Sequence, residues 1–262
     1  MKKFTWTTLG NGDINLIILN GWGINYKIWF FIVKKLSMYF KLHLIDLPGI
    51  GVNKNLQPTN IQQIIEILNF YMPKNSIYLG WSLGGLIATN FALVYPKKTL
   101  GLISVSSSPY FIKQKNWPGI EKKNIYHIYD DLLNQYHKTI SNFLFLQTFK
   151  EEKYFQDLKI LKKMLFSKNN IPNQQTLKKG LEILLSVDLR SKISMIKVPF
   201  LRIYGSLDTL VPKKISSLID LMCPESYSII IEKAGHVPFI SHKEEFCSIL
   251  LEYFSKKIKI KN

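Results

Sequence analysis

The sequence predicts an α/β fold in which a mostly parallel sheet is covered by helices on both faces. Short apolar runs alternate with segments of helical periodicity up to about residue 110, and the alternation resumes after residue 193. The intervening segment, 111–193, has no convincing strand pattern and is rich in Leu, Phe, Tyr and Lys. We therefore expect a single domain, with a core at 1–110 and 194–262 and a helical cap at 111–193 inserted into it.

The core strands are predicted from short apolar runs bounded by turn residues, a pattern typical of strands buried in a parallel sheet. Helical spacing of apolar residues predicts the helices that alternate with them. The predicted strands lie at 14–19, 42–46, 76–79, 100–104, 199–205 and 226–231, and the predicted core helices at 28–36, 61–70, 86–93 and 241–253. In the cap, helical stretches at 126–134, 139–148 and 158–166 end at an Asn- and Pro-containing break at 169–173.

Composition argues against several classes of protein. Hydrophobic residues make up 47% of the 262 residues, too many for a disordered chain, and no apolar run approaches the length of a membrane span. The N-terminal residues lack a signal-peptide pattern, and the two cysteines have neither metal-ligand spacing nor a disulfide pattern. We expect a cytoplasmic monomer that uses no metal and no cofactor.

The net charge of +17 raises the question of nucleic-acid binding. The basic residues are almost all lysines spread along the whole chain, which is typical of the codon usage of an AT-rich genome. No stretch combines basic residues with the aromatic platform of a nucleic-acid module. We therefore expect no nucleic-acid partner, although a basic surface can attract an acidic protein.

The sequence Gly-Trp-Ser-Leu-Gly-Gly at 80–85 predicts a nucleophile elbow, because a buried strand precedes it and a helix follows. In such a turn the positions two before and two after the nucleophile have almost no room for a Cβ atom, which explains Gly80 and Gly84. The turn exposes the hydroxyl of Ser82 above the sheet, at the positive end of the following helix.

A serine nucleophile needs a base and a group that orients the base. In this arrangement the chain order is nucleophile, acid, histidine, each on a loop after a strand, and Ser82, Asp208 and His236 fit it. Asp208 also fits a helix cap, so Asp188 is kept as a reserve acid. Among the other histidines, His242 is the nearest rival, with a capping or surface role as its alternative.

The oxyanion that forms during acyl transfer needs two preorganised donors. The backbone N–H of Leu83, directly after the nucleophile, is expected to supply one. The second is expected from the loop Asn-Gly-Trp-Gly at 20–23, where the N–H of Trp22 is best positioned. The Trp22 ring can pack in the core at the same time, because the donor is a backbone group.

With these residues in view, the chain resembles the α/β-hydrolase superfamily over nearly its full length. More narrowly, it is similar to the family of pimeloyl-[acyl-carrier protein] methyl ester esterases of biotin synthesis. The stretches that carry the resemblance are at 20–23, 46–49, 80–85, 143–147, 180–184, 187–190, 199–205, 236–242 and 245–247. The elbow is common to the superfamily, whereas 143–147 in the cap and 238–242 are much more specific.

The resemblance implies an ester hydrolase that removes the methyl group of a pimeloyl methyl ester on acyl carrier protein, releasing pimeloyl-acyl carrier protein and methanol. It also implies a substrate pocket that combines the triad and oxyanion residues with one cap segment. These residues are Trp22, Ser82, Leu83, Phe143, Leu144, Phe145, Leu146, Gln147 and His236. An aromatic and leucine-rich face suits a polymethylene chain, although the same residues could form an ordinary helix-packing stripe.

The family holds its acidic carrier protein through basic residues on the cap. Here Lys138 and Lys159, with Lys162 and Lys163 nearby, could serve, whereas Asn142 and Phe155 stand where the resemblance leads us to expect arginine. Lysine is a less geometrically specific phosphate partner than arginine. Asn20 is a second departure, because the family usually has histidine before Gly-Trp-Gly.

Two alternatives stay open at this stage. The triad also fits a general short-chain carboxylesterase or a C–C bond hydrolase of the same fold. A non-catalytic hydrolase-like scaffold or a basic binding protein is the alternative from another class, and an intact triad with both oxyanion loops argues against it.

Overall fold

The computed structural model describes residues 3–57, 59–148, 155–166 and 171–258, and the side chains of Gln147, Thr148 and Phe155 lie outside this description. Its strands are β1 (Thr7–Leu9), β2 (Ile14–Leu19), β3 (Phe40–Ile45), β4 (Ser76–Trp81), β5 (Thr99–Val105), β6 (Phe200–Gly205) and β7 (Tyr227–Ile231). They form one sheet in the order β1-β3-β2-β4-β5-β6-β7. β1 pairs with β3 antiparallel and all other pairs are parallel.

From β2 to β7 the helices alternate with the strands, except between β5 and β6, where the described residues form three successive α-helices, and two further helices follow β7. They are α1 (Phe30–Leu36), α2 (Ile61–Tyr71), α3 (Leu83–Val94), α4 (Lys122–Thr148), α5 (Phe155–Leu165), α6 (Gln174–Ser186), α7 (Lys214–Met222), α8 (Pro238–Ser241) and α9 (Lys243–Ile258). None of these described helices combines the length and apolar character of a membrane-spanning segment.

The sheet is buried on both faces. Along β2, Ile17 and Leu19 belong to one apolar cluster, while Leu16 and Ile18 belong to the other, and all four are fully buried. Because side chains alternate between the two faces of a strand, each cluster covers one face. The predicted α/β sheet with helices on both faces is confirmed.

The structure differs from the sequence prediction in several elements, including α7 and α8, for which no bounds were predicted. β1 was not predicted, because its three residues, Thr-Thr-Leu, are partly exposed and form no apolar run. α6 was not predicted as a helix, and it contains Gly180, which disfavours a helix interior. The predicted stretches 126–134 and 139–148 are both parts of α4, interrupted at Gln135, whose backbone is not helical (φ −142°, ψ 46°).

The carboxyl ends of three parallel strands meet at one edge of the sheet. β4 leads directly into Ser82, the turn after β6 carries Asp208, and the turn after β7 carries His236. Loops at the carboxyl ends of parallel strands are where ligands bind in open α/β sheets. The cap helices α4–α6 lie in the β5–β6 connection, and α4 and α6 contribute side chains beside this edge.

Candidate active site

Ser82 lies in a strained turn between β4 and α3. Its backbone has φ 54° and ψ −119°, a conformation that L-residues rarely adopt. Hydrogen bonds hold the turn on both sides: Ser82 N donates to Val105 O (2.9 Å), and Ser82 O accepts from Ser107 Oγ (2.7 Å) and Gly85 N (2.9 Å). The surrounding structure therefore fixes a conformation that the residue would not adopt by itself.

The two glycines that flank the turn at Ser82 are required by close backbone contacts. A Cβ atom at Gly80 would lie 2.1 Å from Gly84 O, and one at Gly84 would lie 2.5 Å from Leu19 O. Both contacts are with backbone atoms, which cannot rotate away as a flexible side chain could. The spacing glycine–x–serine–x–glycine is thus a steric consequence of passing from strand to helix in so few residues.

The imidazole of His236 is held by a buried carboxylate. His236 Nδ1 lies 2.7 Å from Asp208 Oδ2, and both side chains are almost completely buried. The other oxygen, Asp208 Oδ1, accepts hydrogen bonds from the backbone N–H groups of Leu210 (2.8 Å) and Val211 (2.9 Å). Since a carboxylate only accepts, Nδ1 is the protonated nitrogen, and Nε2 is left as an acceptor.

The backbone of the histidine loop is fixed by Trp81, the residue before the nucleophile. The indole Nε1 of Trp81 donates to His236 O at 2.8 Å, and the ring is fully buried. The ring centroids of Trp81 and His236 are 5.6 Å apart, and the Phe143 ring lies 5.8 Å from the imidazole. The turn at Ser82 and the loop at His236 are therefore joined directly by one side chain, a contact that no sequence pattern predicts.

The loop at residues 20–25, which we call the oxyanion loop after the role expected from the sequence, begins with a buried amide. Asn20 Nδ2 donates to Ile45 O (2.8 Å) and to Asp46 Oδ1 (3.1 Å), and Asn20 Oδ1 accepts from Trp29 Nε1 (2.8 Å). A side-chain amide at position 20 therefore supports the loop in this chain.

Asp46 fixes the same loop from its other side. Its carboxylate accepts from Tyr26 N (2.6 Å) and Val52 N (3.0 Å) as well as from Asn20. Burial raises the pKa of the Asp46 carboxyl, and these hydrogen bonds partly offset that effect. Gly51 is needed here, since a Cβ atom would lie 1.9 Å from Asp46 Oδ2.

Ser82 and His236 both face a cavity of about 170 Å³ between the sheet edge and the cap. Its lining is almost entirely apolar, and Thr139 adds a hydroxyl. The apolar part of the lining is formed by Trp22, Ile24, Trp81, Phe111, Ile120, Ile125, Ile128, Leu132, Ile140, Phe143, Leu146, Leu184 and Leu210. Such a lining suits a hydrocarbon chain whose reacting end reaches the serine.

The predicted pocket segment of the cap divides between two faces of α4. Phe143 and Leu146, one helical turn apart, line the cavity. Leu144 is fully buried in the apolar core, and Phe145 is 42% exposed on the outer side of the helix. A continuous five-residue stretch of helix cannot direct all its side chains into one cavity, which explains the division.

The remaining candidate residues lie apart from the contact between His236 and Asp208. Asp188 forms a bidentate ion pair with Arg190 (2.6 Å at its shortest) in the segment after α6, and this pairing lowers the pKa of the Asp188 carboxyl. His242 Nδ1 is hydrogen bonded to Ser241 Oγ at 2.9 Å. Lys138 on α4 and Lys159 on α5 are both exposed. No cluster of side chains suited to a metal ion is found in the described parts of the chain.

Comparisons with known proteins agree with this fold. A family model described as the alpha/beta hydrolase fold matches residues 14–243. A pimeloyl-[acyl-carrier protein] methyl ester esterase of Wigglesworthia glossinidia brevipalpis is 45% identical, over 98% of this chain and 99% of that protein. A protein of the same name from Yersinia pseudotuberculosis is 39% identical, over 99% of this chain and all of that protein.

Two solved structures show the same fold at low sequence identity. An esterase of Exiguobacterium antarcticum superposes with a TM-score of 0.80 at 20% identity, covering 95% of this chain and 94% of that one. A bromoperoxidase of Bacillus anthracis superposes with a TM-score of 0.82 at 17% identity, with the same coverage. At these identities the likeness extends to the fold alone.

Proposed function

We propose that Ser82 is the nucleophile of an ester hydrolase, because this chain belongs to the α/β-hydrolase family and, within it, to the pimeloyl-[acyl-carrier protein] methyl ester esterases. The enzyme converts pimeloyl-acyl carrier protein methyl ester to pimeloyl-acyl carrier protein and methanol in biotin biosynthesis. The observation that carries the residue assignment is the contact of 2.7 Å between His236 Nδ1 and Asp208 Oδ2, beside a cavity that Ser82 also lines.

The proposed chemistry is acyl transfer in two steps. His236 Nε2 takes the proton of Ser82, whose Oγ attacks the ester carbonyl carbon to form a tetrahedral intermediate. The intermediate collapses with cleavage of the bond to the methoxy oxygen, which leaves as methanol after taking the proton from His236. A water molecule then loses a proton to His236, attacks the acyl-enzyme and releases the free acid. Asp208 keeps the imidazole in the required tautomer and stabilises its charged form.

The charge on the intermediate oxygen requires donors that are in place before the reaction. In our proposal the N–H groups of Leu83 and Trp22 supply them. Leu83 is the first residue of α3, and the first N–H groups of a helix have no partner within it. Trp22 lies in the oxyanion loop and lines the cavity that Ser82 faces.

The cavity supports a hydrocarbon acyl chain as the bound group. Phe143 and Leu146 of α4 and Trp22 of the oxyanion loop contribute apolar side chains to its lining, and the Phe143 ring lies 5.8 Å from the imidazole of His236. We propose that the exposed Lys138 and Lys159 contact the carrier protein, because both belong to helices of the cap and carry the charge that an acidic partner requires.

We also propose that the cap, 111–193, belongs to the same domain as the core, 1–110 and 194–262. In support, Leu181 and Leu184 of α6 are part of the apolar cluster that contains Leu83 and Leu86 of α3. The expectation of a cytoplasmic monomer stays a prediction, and light scattering on the purified protein tests its oligomeric state.

The experiment that tests the function compares wild type with Ser82→Ala. Ser82→Ala should lose hydrolysis of the carrier-bound methyl ester, and of short p-nitrophenyl esters, while its fold is retained. It should also fail to rescue a biotin-requiring strain that lacks this esterase, which the wild type rescues. Ser186→Ala removes an exposed hydroxyl at the end of α6 and serves as the matched control with full activity.

Four outcomes would contradict the proposal. Appreciable hydrolysis by Ser82→Ala would remove Ser82 as the nucleophile, and failure of a fluorophosphonate to label Ser82 in the wild type would favour a non-catalytic scaffold. A clear preference for short esters over the carrier-bound pimeloyl ester would instead favour a general carboxylesterase. Cleavage of a diketone in preference to any ester would favour a C–C bond hydrolase.

A further inference from the structure

The oxyanion loop is connected to all three helices of the cap by side-chain hydrogen bonds. The hydroxyl of Tyr136 on α4 donates to Gly23 O at 2.8 Å. The indole Nε1 of Trp22 donates to Leu177 O of α6 at 3.0 Å, and Asn25 Nδ2 donates to Leu165 O of α5 at 3.2 Å. The partners are separated by more than 100 positions in sequence, so the bonds link the loop to helices that are distant from it along the chain.

We propose that Tyr136 is a positioning residue, which holds the oxyanion loop so that the Trp22 N–H is aimed at the developing oxyanion. The inference rests on the proposed esterase function and adds to it a mechanical link between cap and catalytic centre. Tyr136 does not contact the reacting atoms in this account. It acts through the backbone of the loop.

The position of Tyr136 suits this role. It directly follows Gln135, where α4 departs from helical geometry, and its side chain is 7% exposed. Burial raises the pKa of the Tyr136 hydroxyl, with a smaller contribution from the charge of Asp46, so the group is a protonated donor at neutral pH. Its acceptor, Gly23, has φ 72°, a left-handed conformation in which the loop turns sharply.

The cap also fixes the side chain of Trp22, in addition to the loop backbone. Its ring is stacked on Tyr129 of α4, with an interplanar angle of 5° and a centroid distance of 6.4 Å. Against α6 it packs on Gly180, where a Cβ atom would lie 2.3 Å from Trp22 Cδ1. Glycine inside α6 therefore has a packing reason, because any larger residue would displace this ring.

The same helix that holds the loop also lines the cavity. Ile128 and Leu132 precede Tyr136 on α4, while Ile140 and Phe143 follow it, and all four face the cavity. An acyl chain that fills the cavity presses on α4 on both sides of Tyr136. The link therefore predicts that a full-length chain raises kcat above that of a short ester, since remote binding energy then helps to place the oxyanion donor.

The first test is Tyr136→Phe, which keeps the ring and removes only the hydroxyl. We expect kcat for methyl pimeloyl substrates to fall about tenfold with KM changed less than twofold, a smaller loss than the 10²–10³-fold effect of deleting an oxyanion donor. A trifluoromethyl ketone analogue, which forms a tetrahedral adduct with Ser82, should bind more weakly by the same factor. Tyr126→Phe, at an exposed tyrosine of the same helix, should leave all three quantities unchanged.

The second test approaches the loop from α6. Gly180→Ala should also lower kcat, because its Cβ displaces the Trp22 ring, although alanine is the better helix former. Gln175→Ala, at an exposed position of α6, is its matched control. This pair keeps the inference testable if Tyr136→Phe folds poorly.

The outcomes separate the two proposals. If the wild type hydrolyses the ester and Ser82→Ala does not, the proposed function stands whatever Tyr136→Phe does. Unchanged kcat and unchanged ketone affinity in Tyr136→Phe and Gly180→Ala would then overturn the positioning role. A lower melting temperature with unchanged kcat would assign Tyr136 to folding stability and would equally overturn it.

Discussion

The two oxygens of the Asp208 carboxylate have different hydrogen-bond partners. Oδ1 is occupied by two backbone N–H groups, those of Leu210 and Val211, while Oδ2 faces His236 Nδ1. The side chain therefore cannot rotate without losing two hydrogen bonds. The turn after β6 therefore fixes the oxygen that orients the imidazole of His236.

At this scale we predict that Asp208→Asn abolishes turnover with little change in fold. The amide oxygen should keep the two backbone N–H bonds, which leaves the NH₂ group facing His236 Nδ1. Because that group can only donate, it selects the tautomer with the proton on Nε2, and the base can no longer accept from Ser82. We expect kcat to fall about 10⁴-fold, as for the equivalent change in serine proteases, measured by steady-state kinetics.

Asp188→Asn is the control for this change, since it removes a partly exposed carboxylate of the same type that is paired with Arg190. It should keep wild-type kcat. If Asp188→Asn lost activity and Asp208→Asn kept it, the reserve acid would be the functional one and the assignment of Asp208 would be wrong.

Sequence reasoning at the residue scale depended on strong local patterns. Ser82 was predictable because glycines flank it, and His236 and Asp208 because each follows an apolar strand in the expected order. Trp81 and Tyr136 were not predictable in their contacts with His236 and Gly23, since these contacts join positions more than 100 residues apart. An aromatic residue in an apolar pattern gives no signal of which distant carbonyl its polar atom will reach.

Among the elements, the edge formed by β1 and β3 has a pH-sensitive contact. His43 on β3 accepts a hydrogen bond at Nδ1 from Trp6 Nε1 (3.1 Å), so its Nε2 carries the proton and donates to Asn15 Oδ1 (2.8 Å). Burial, with a smaller effect of the Lys41 charge, lowers the pKa of His43 to about 4. Protonation of Nδ1 would break the bond from Trp6.

We predict that the free energy of unfolding decreases as the pH falls from about 6.5 towards 4. The unfolded chain binds the proton near the ordinary histidine pKa of about 6.5, whereas the folded protein binds it only near 4. Between these values the unfolded state holds more protons, so acid favours unfolding, and above the interval the effect vanishes. The measurement is the urea midpoint at pH 7.5 and pH 5, in wild type and His43→Gln.

The variant should show a smaller loss of stability between the two pH values than the wild type. Carboxylates and the other histidines titrate in both proteins and cancel in the difference. Equal losses would show that His43 does not contribute to the pH dependence.

The elements also show where sequence periodicity stops being informative. Long apolar runs such as β2 and β4 were found because they are buried on both faces. β1 has no apolar pattern, because a strand at an exposed edge needs few buried side chains. α6 contains a residue that disfavours helices, because Gly180 leaves room for the Trp22 ring. No proline or glycine adjoins the break at Gln135, which lies next to Tyr136 and its hydrogen bond to Gly23.

For the molecule as a whole, the net charge of +17 favours the approach of an acidic partner. Long-range attraction of an acidic carrier raises the association rate and is weakened by salt. A small neutral ester experiences no such attraction, so the two kinds of substrate should respond differently to ionic strength.

We predict that kcat/KM for the carrier-bound ester falls several-fold when the ionic strength rises from about 0.01 M to about 0.1 M, which shortens the Debye length from about 30 Å to about 10 Å. Hydrolysis of methyl pimelate esters without a carrier should change little. The double variant Lys138→Glu with Lys159→Glu should lower kcat/KM for the carrier-bound ester and flatten its salt dependence.

Lys197→Glu provides the comparison for these charges, because Lys197 is exposed just before the amino end of β6, opposite the catalytic edge. It changes the net charge without changing the cap. An equal effect of Lys197→Glu would assign the salt dependence to overall charge and would contradict docking on the cap.

The insertion of the cap between β5 and β6 has a consequence for the chain while it is being made. During synthesis the nucleophile and β1–β5 leave the ribosome first, and the edge of β5 stays without its neighbour until the whole cap and β6 have been translated. An uncovered parallel edge with apolar faces is a site for aggregation, so the nascent chain passes through a vulnerable interval. The last strand, β7, and His236 arrive later still. Esterase activity therefore appears only when translation is nearly complete, and a prematurely terminated chain would contain a serine with no base to activate it.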